Sequence, residues 1–154
     1  MKSDLVELIR AELSARLERL AKAAIEAHAA ATDPGSKAES KYDTRSLEES
    51  YLATGQAKQV KELVQTLNLF ENLRLKDFSE GNEIEAGALV ETERGGSGER
   101  SLFLLAPASG GLEVLFEGKE VTLLSPDSPL YQKLLGLRSG EALENPPMKI
   151  CKVE

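Results

Sequence analysis

Between Asp4 and about Ala31 the apolar residues Leu5, Ile9, Leu13, Leu17, Leu20, Ala24 and Ala27 recur every third or fourth position, which lines one face of an α-helix. Ser3 or Asp4 is the expected N-cap, with Glu7 at capping-box spacing from Asp4. The face shrinks from leucine to alanine between Ala21 and Ala31, and small side chains keep the far end of a helix thin. At about 1.5 Å per residue such a helix extends roughly 40 Å. Asp33-Pro34-Gly35 ends it, because proline cannot continue the hydrogen-bond ladder and glycine accepts the left-handed conformation of a helix end.

A second helix starts from one of the candidate caps Ser36, Ser40, Asp43 or Thr44 and runs to about Leu73. Leu52, Gln56, Val60, Leu63, Leu67 and Phe70 mark one stripe along it, and Leu47, Tyr51, Thr54 and Lys58 mark another. Gly55 lies inside this helix at a cost of about 1 kcal/mol relative to alanine, which predicts close packing or a small bend there. Two long helices joined by a polar turn predict an antiparallel helical hairpin over residues 1–76, its tip at 32–45.

After Leu75 the period changes. Strands are expected over Ile84–Glu93, Arg100–Ala106, Leu112–Phe116 and Val121–Leu124, with turns at Arg94–Gly98 and Pro107–Gly111. Ser125–Gly136 reads as a short helix, capped by Ser128, with Pro129 at its first position and Gly136 closing it. Its Leu130, Leu134 and Leu135 are expected to face the sheet. Glu141–Leu143 and Met148–Val153 supply closing strands on either side of Asn145-Pro146-Pro147. Residues 77–154 thus form a second domain, an antiparallel sheet carrying one helix, and the chain as a whole is α+β.

Composition narrows the function. With 41% hydrophobic and 29% charged residues the chain is compatible with a buried core. No apolar run approaches the roughly 18 residues of a membrane span, and MKSDLVELIR lacks a signal-peptide core, so a cytoplasmic location is expected. Cys151 is the single cysteine, which rules out an intrachain disulfide. His28 is the single histidine, expected as a partly exposed helix residue, and together they exclude a structural zinc site. Residues 1–76 hold 12 cations and 12 acids, while residues 77–154 hold 7 cations and 14 acids, the source of the whole net charge of −7. An acidic half with no basic stripe argues against duplex DNA and for a protein partner. Gly95-Gly96-Ser97-Gly98 is a hairpin turn, since the Gly-Lys-Ser/Thr of a phosphate-binding loop does not follow it.

The segment Ser125–Gly140, SPDSPLYQKLLGLRSG, together with the ending Ile150-Cys151-Lys152-Val153-Glu154, resembles the C-terminal domain of the Gre factor family, the bacterial transcript-cleavage factors. The family pairs a helical hairpin with an FKBP-like domain, an order that matches this chain, although Asp127-Ser128 is inserted between two Ser-Pro units here. The resemblance implies a monomer that is not itself an enzyme. It would bind RNA polymerase through Ser125, Pro126, Asp127, Ser128, Pro129 and Leu130, and insert its tip into the secondary channel toward the RNA 3′ end. Tip acids would then help hold a magnesium ion shared with the polymerase, with no cofactor bound tightly by the factor alone. Magnesium takes oxygen ligands, and a second metal activates the attacking water.

Laid on the family's tip pattern, Gly-Asp-Leu-x-Glu-Asn, the run Gly35-Ser36-Lys37-Ala38-Glu39-Ser40 keeps the glycine and the second acid but places Ser36 where the first acid stands. Glu39 and Asp43 are the candidate metal ligands, and Asp33 the third tip acid. Lys41, Tyr42 and Arg45 are candidate tip contacts to RNA phosphate or to the polymerase. Other readings stay open: a homologue that regulates without cleavage, exposed caps and helix-surface pairs at the tip, and a hairpin that dimerises. A peptidyl-prolyl isomerase or chaperone is disfavoured, because Phe78, Phe103, Phe116 and Tyr131, with no tryptophan, are few for an aromatic-lined pocket.

Overall fold

The structure, a computed structural model, describes residues 2–32 and 44–154; for residues 24, 27–32 and 44–54 it describes the helical backbone alone. The expected α+β order is present: helices α1 (Lys2–Thr32) and α2 (Thr44–Glu71), then six strands and one short helix. Because α1 already begins at Lys2, Ser3 and Asp4 lie inside its first turn and not at a cap; Asp4 there carries charge that favours a helix N-terminus.

The chain divides into two compact units. One is Arg10–Leu67, made of the two helices, and the other joins residues 1–9 to Asn68–Glu154. Within the helical unit Leu13 is buried and Leu17, Leu20, Val60, Leu63 and Leu67 are half-buried, as the three-and-four spacing requires. Burial weakens along α1, and Ile25 is 70% exposed. Of the close packing or small bend expected at Gly55, the close packing is not met among the described residues, where a side-chain carbon there would meet nothing within 4 Å.

In the other unit the strands are β1 (Leu89–Arg94), β2 (Arg100–Leu105), β3 (Glu113–Phe116), β4 (Lys119–Leu124), β5 (Ala142–Glu144) and β6 (Pro147–Val153), with α3 (Pro129–Leu134) between β4 and β5. They form one sheet in the order β3-β4-β2-β1-β6-β5. Four of the pairings are antiparallel, as expected, but β2 and β4 run parallel, so the sheet is mixed. β4, and not β3, takes the place beside β2, and both β2 and β4 run opposite to β3. Glu117 (φ 50°) and Gly118 (φ 76°) both take the left-handed conformation that suits a two-residue hairpin, and β4 folds back into the place between β3 and β2.

Alternation places Val90 of β1, Leu105 of β2, Leu124 of β4 and Ile150 and Val153 of β6 in one core with Tyr131 and Leu134 of α3. Ile150 and Val153 share that face despite an odd spacing, because the β1–β6 register slips by one residue between Glu91 and Thr92. Leu134 is fully buried and Leu130 packs at the margin of this core, as expected, whereas Leu135 is 43% exposed and Tyr131 takes the inward position. Ile84 begins no strand: it exchanges backbone hydrogen bonds with Gly136 and Leu137 beyond α3, and Gly87 (φ 89°) turns the chain into β1.

The start of α1 belongs to this unit. Lys2 Nζ donates to the carbonyls of Lys76 (2.6 Å) and Glu154 (3.1 Å) and lies 4.7 Å from the centre of the Phe78 ring. Burial pushes the Lys2 ammonium below its ordinary pKa, although Asp77 and Glu154 oppose this. Leu5, Val6, Ile9 and Phe70 are buried alongside.

Candidate functional site

Of the residues singled out at the tip, Asp33, Glu39, Lys41, Tyr42 and Asp43 lie outside the described residues, as do the candidate caps Ser36 and Ser40. Arg45 lies in the first turn of α2, but its side chain, like that of His28 in α1, is also outside them. The other candidate region, Ser125–Leu130, is described throughout.

This segment leaves the buried end of β4 at Leu124 and turns before α3. Ser125 Oγ donates to Asp127 Oδ1, and the Ser128 N–H closes the turn onto the Ser125 carbonyl at 2.9 Å. Pro129 opens α3, where its missing N–H costs nothing, and Ser128 sits at the N-cap in an extended conformation but makes no side-chain cap bond. Its carbonyl accepts from the Gln132 N–H at 3.2 Å, and Gln132 Nε2 reaches back to the Pro126 carbonyl at 3.2 Å. Two backbone bonds and two side-chain bonds thus hold the segment, while Pro126, Asp127 and Pro129 stay exposed.

The Ser125 hydroxyl holds the Asp127 carboxyl below the ordinary carboxylate range, and the residue's own backbone N–H adds to this. Asp127 is therefore an anion fixed in direction at the surface. Lys133, one turn along α3, donates to the Asn145 carbonyl at 2.8 Å and ties the helix to the β5–β6 turn, where Asn145-Pro146 is cis. The result is a solvent-facing corner, held by its own hydrogen bonds, that carries the Asp127 carboxylate.

Sequence reasoning missed one residue that shapes this corner. Gly110 abuts Ser125 so closely that a side-chain carbon would overlap Ser125 Oγ and stand 3.1 Å from its backbone nitrogen. The Gly110-Gly111 pair was the available signal, but it reads equally as an ordinary turn.

The grooves of the sheet unit mix charged and apolar side chains, with Leu102 lining both of the two that follow and Leu89 one of them. One of about 480 Å³ is lined by Glu91, Glu99, Arg100, Lys119 and Glu120, with Phe103 as its aromatic residue. Another, of about 140 Å³, has Phe116 among Glu91, Glu117, Lys119, Lys152 and Glu154. Tyr131 is buried in the core. These surfaces do not make an aromatic-lined pocket for proline. Among the described residues no three His, Cys, Asp or Glu side chains are placed to hold a metal, and no helix is long and apolar enough to cross a membrane.

An α+β chain with a two-helix unit, a mixed sheet and a fixed acidic corner is thus defined by its own residues. No protein-family model matches the chain, and no curated protein matches it. Among solved structures it is similar to the crystal structure of GreA factor homolog 1 (Gfh1) of Thermus thermophilus, with 20% identity over 94% of each chain and a TM-score of 0.38. It is also similar to the structure of the transcription factor Gfh1, with 22% identity over 94% of this chain and 92% of that one and a TM-score of 0.39. A third is Thermus aquaticus Gfh1, with 20% identity over 93% of this chain and 92% of that one and a TM-score of 0.37. The first of these structures gives Gfh1 as a GreA factor homolog.

Proposed function

We propose that the protein is a Gre-like transcription elongation factor. Its sheet unit docks on RNA polymerase at the rim of the secondary channel, and its two-helix unit carries the acid-bearing segment 33–43 toward the active site, where it modulates cleavage of backtracked RNA. The observation that carries this reading is the joint presence of two long helices on either side of an acid-bearing stretch of sequence and a separate unit with an exposed, internally bonded corner at Ser125–Leu130. At about 1.5 Å per residue, the 31 residues of α1 make a helix roughly 45 Å long, whose residues up to Ile9 belong to the sheet unit. The polymerase supplies the catalytic site. Glu39 and Asp43, with Asp33 nearby, supply carboxylates to a shared magnesium ion, and Lys41, Tyr42 and Arg45 contact RNA phosphate or channel walls.

A variant of this reading rests on Ser36, which puts a hydroxyl where the family's pattern has a carboxylate. A tip with one fewer strong magnesium ligand fits a factor that occupies the channel and regulates without stimulating cleavage. Backtracked elongation complexes, incubated with and without the full chain, test both. Cleavage raised by the parent and returned to the basal rate by Glu39→Ala, Asp43→Ala supports the metal role. Unchanged cleavage with slowed elongation supports the regulator. Failure of the full chain to bind core polymerase removes both.

A further inference from the structure

The sheet ends at β3, and among the described residues no strand covers its outer side. The Leu123 N–H donates to the Leu112 carbonyl. Antiparallel alternation then makes Val114–Val121 and Phe116–Lys119 the hydrogen-bonded pairs. The N–H and C=O groups of Glu113 and Leu115 therefore point away from β4, an open row of two donors and two acceptors. Their side chains share one face, where Glu113 stands opposite Thr122 and Leu115 opposite Glu120. Leu115 is 70% exposed, unusual for a leucine in a strand. The same face continues into the groove of about 480 Å³ that Ser101, Phe103, Glu120 and Thr122 help to line.

Charge selects the occupant. Glu113 raises the pKa of Glu120, first by a hydrogen bond between the carboxyls and then by like charge, and the acids Glu91, Glu99 and Glu120 outnumber the cations Arg100 and Lys119 around the groove. A second copy of the chain paired at β3 would add its own Glu113 and Glu120 to that face and repel. A segment carrying lysine or arginine would relieve the pair.

We propose that the free edge of β3 is a docking strand for a basic extended segment of a partner protein. The segment adds a strand beside Glu113 and Leu115, and sets an apolar side chain on Leu115 with a lysine or arginine two residues away on the Glu113 and Glu120 carboxylates. The period of two in a strand fixes that spacing. The surface stands on its own observations, so its failure leaves the polymerase reading in place, and loss of that reading leaves this one.

The test is a titration of the full chain, labelled with nitrogen-15, with the peptide acetyl-Lys-Thr-Val-Thr-Lys-amide and with its counterpart acetyl-Glu-Thr-Val-Thr-Glu-amide. The lysine peptide is expected to shift the Glu113 and Leu115 amides and to slow their exchange about tenfold, and the glutamate peptide to bind at least about tenfold more weakly. Leu115→Pro removes an outward donor without touching the β4 ladder and is expected to abolish binding; E113K with E120K does so by charge. Equal binding of the two peptides, shifts centred away from β3, or protection of these amides that grows with protein concentration and no peptide would each overturn the proposal.

Discussion

A side-chain carbon on Gly110 would stand 3.0 Å from Ser125 Cβ and 3.1 Å from Ser125 N, closer than such atoms approach without something shifting. The backbone nitrogen cannot move away without disturbing the end of β4, where the Ala106 N–H donates to the Leu124 carbonyl. Gly110→Ala is therefore expected to cost about 1–3 kcal/mol, the range for overpacking. Ser125→Ala deletes the overlapping hydroxyl but leaves Cβ and N in place, so the double variant should recover only part of the loss in a urea-unfolding cycle. The same serine governs Asp127. Its carboxyl pKa is lower in the folded chain than the ordinary 3.8, so the bond contributes stability above that value and loses it as pH falls through the folded pKa. Carboxyl-carbon NMR should find Asp127 titrating below 3.8, and Ser125→Ala should return it toward 3.8. An ordinary titration in the parent would mean that the Ser125 bond does not hold the Asp127 carboxylate.

At the level of elements, the β3–β4 hairpin stores a local cost. Glu117 adopts a φ of 50°, which costs a residue with a Cβ roughly 1–2 kcal/mol, less for asparagine. Glu117→Asn should raise stability by about 0.5–1 kcal/mol in urea unfolding, and no gain would mean that Glu117 makes a compensating contact. Gly55, with open space around it in α2, should likewise yield about 1 kcal/mol on replacement by alanine. The Ser128-Pro129 start of α3 could be read directly, because proline and cap preferences act locally. The parallel β2–β4 pairing could not, because strand order depends on which side of β2 the hairpin closes, a choice made by contacts distant in sequence. Tyr131 replaced Leu135 in the core for a similar reason: α3 spans only Pro129–Leu134, and Leu135 already lies past its end. The turn into α3 was legible from the Ser-Pro repeats of Ser125–Pro129, whereas the contact of Gly110 with Ser125 spans a β-hairpin and leaves no local mark.

At the scale of the molecule, the change of period after Leu75 marks where strands replace helices, but the compact unit around the sheet also takes in residues 1–9 and 68–76. Leu5 and Ile9 are fully buried in it, and Lys2 is bonded to the carbonyls of Lys76 and Glu154, at the start and end of the sheet region. The base of α1 is thereby part of the fold of the sheet unit. Leu5→Ala, which leaves a cavity at a site with no exposure, is expected to cost about 2–4 kcal/mol. The location of the loss decides the argument. If the first turns of α1 and the sheet share one cooperative core, native-state amide exchange will show β1 and β6 losing protection along with α1. If exchange rises in α1 alone while Val90 and Ile150 keep their protection, the base of α1 is only an attachment. In the first case a fragment cut after residue 76 would leave the sheet without part of its own core, so polymerase binding by the sheet unit is best measured on the full chain with substitutions at Asp127 and not on residues 77–154 alone.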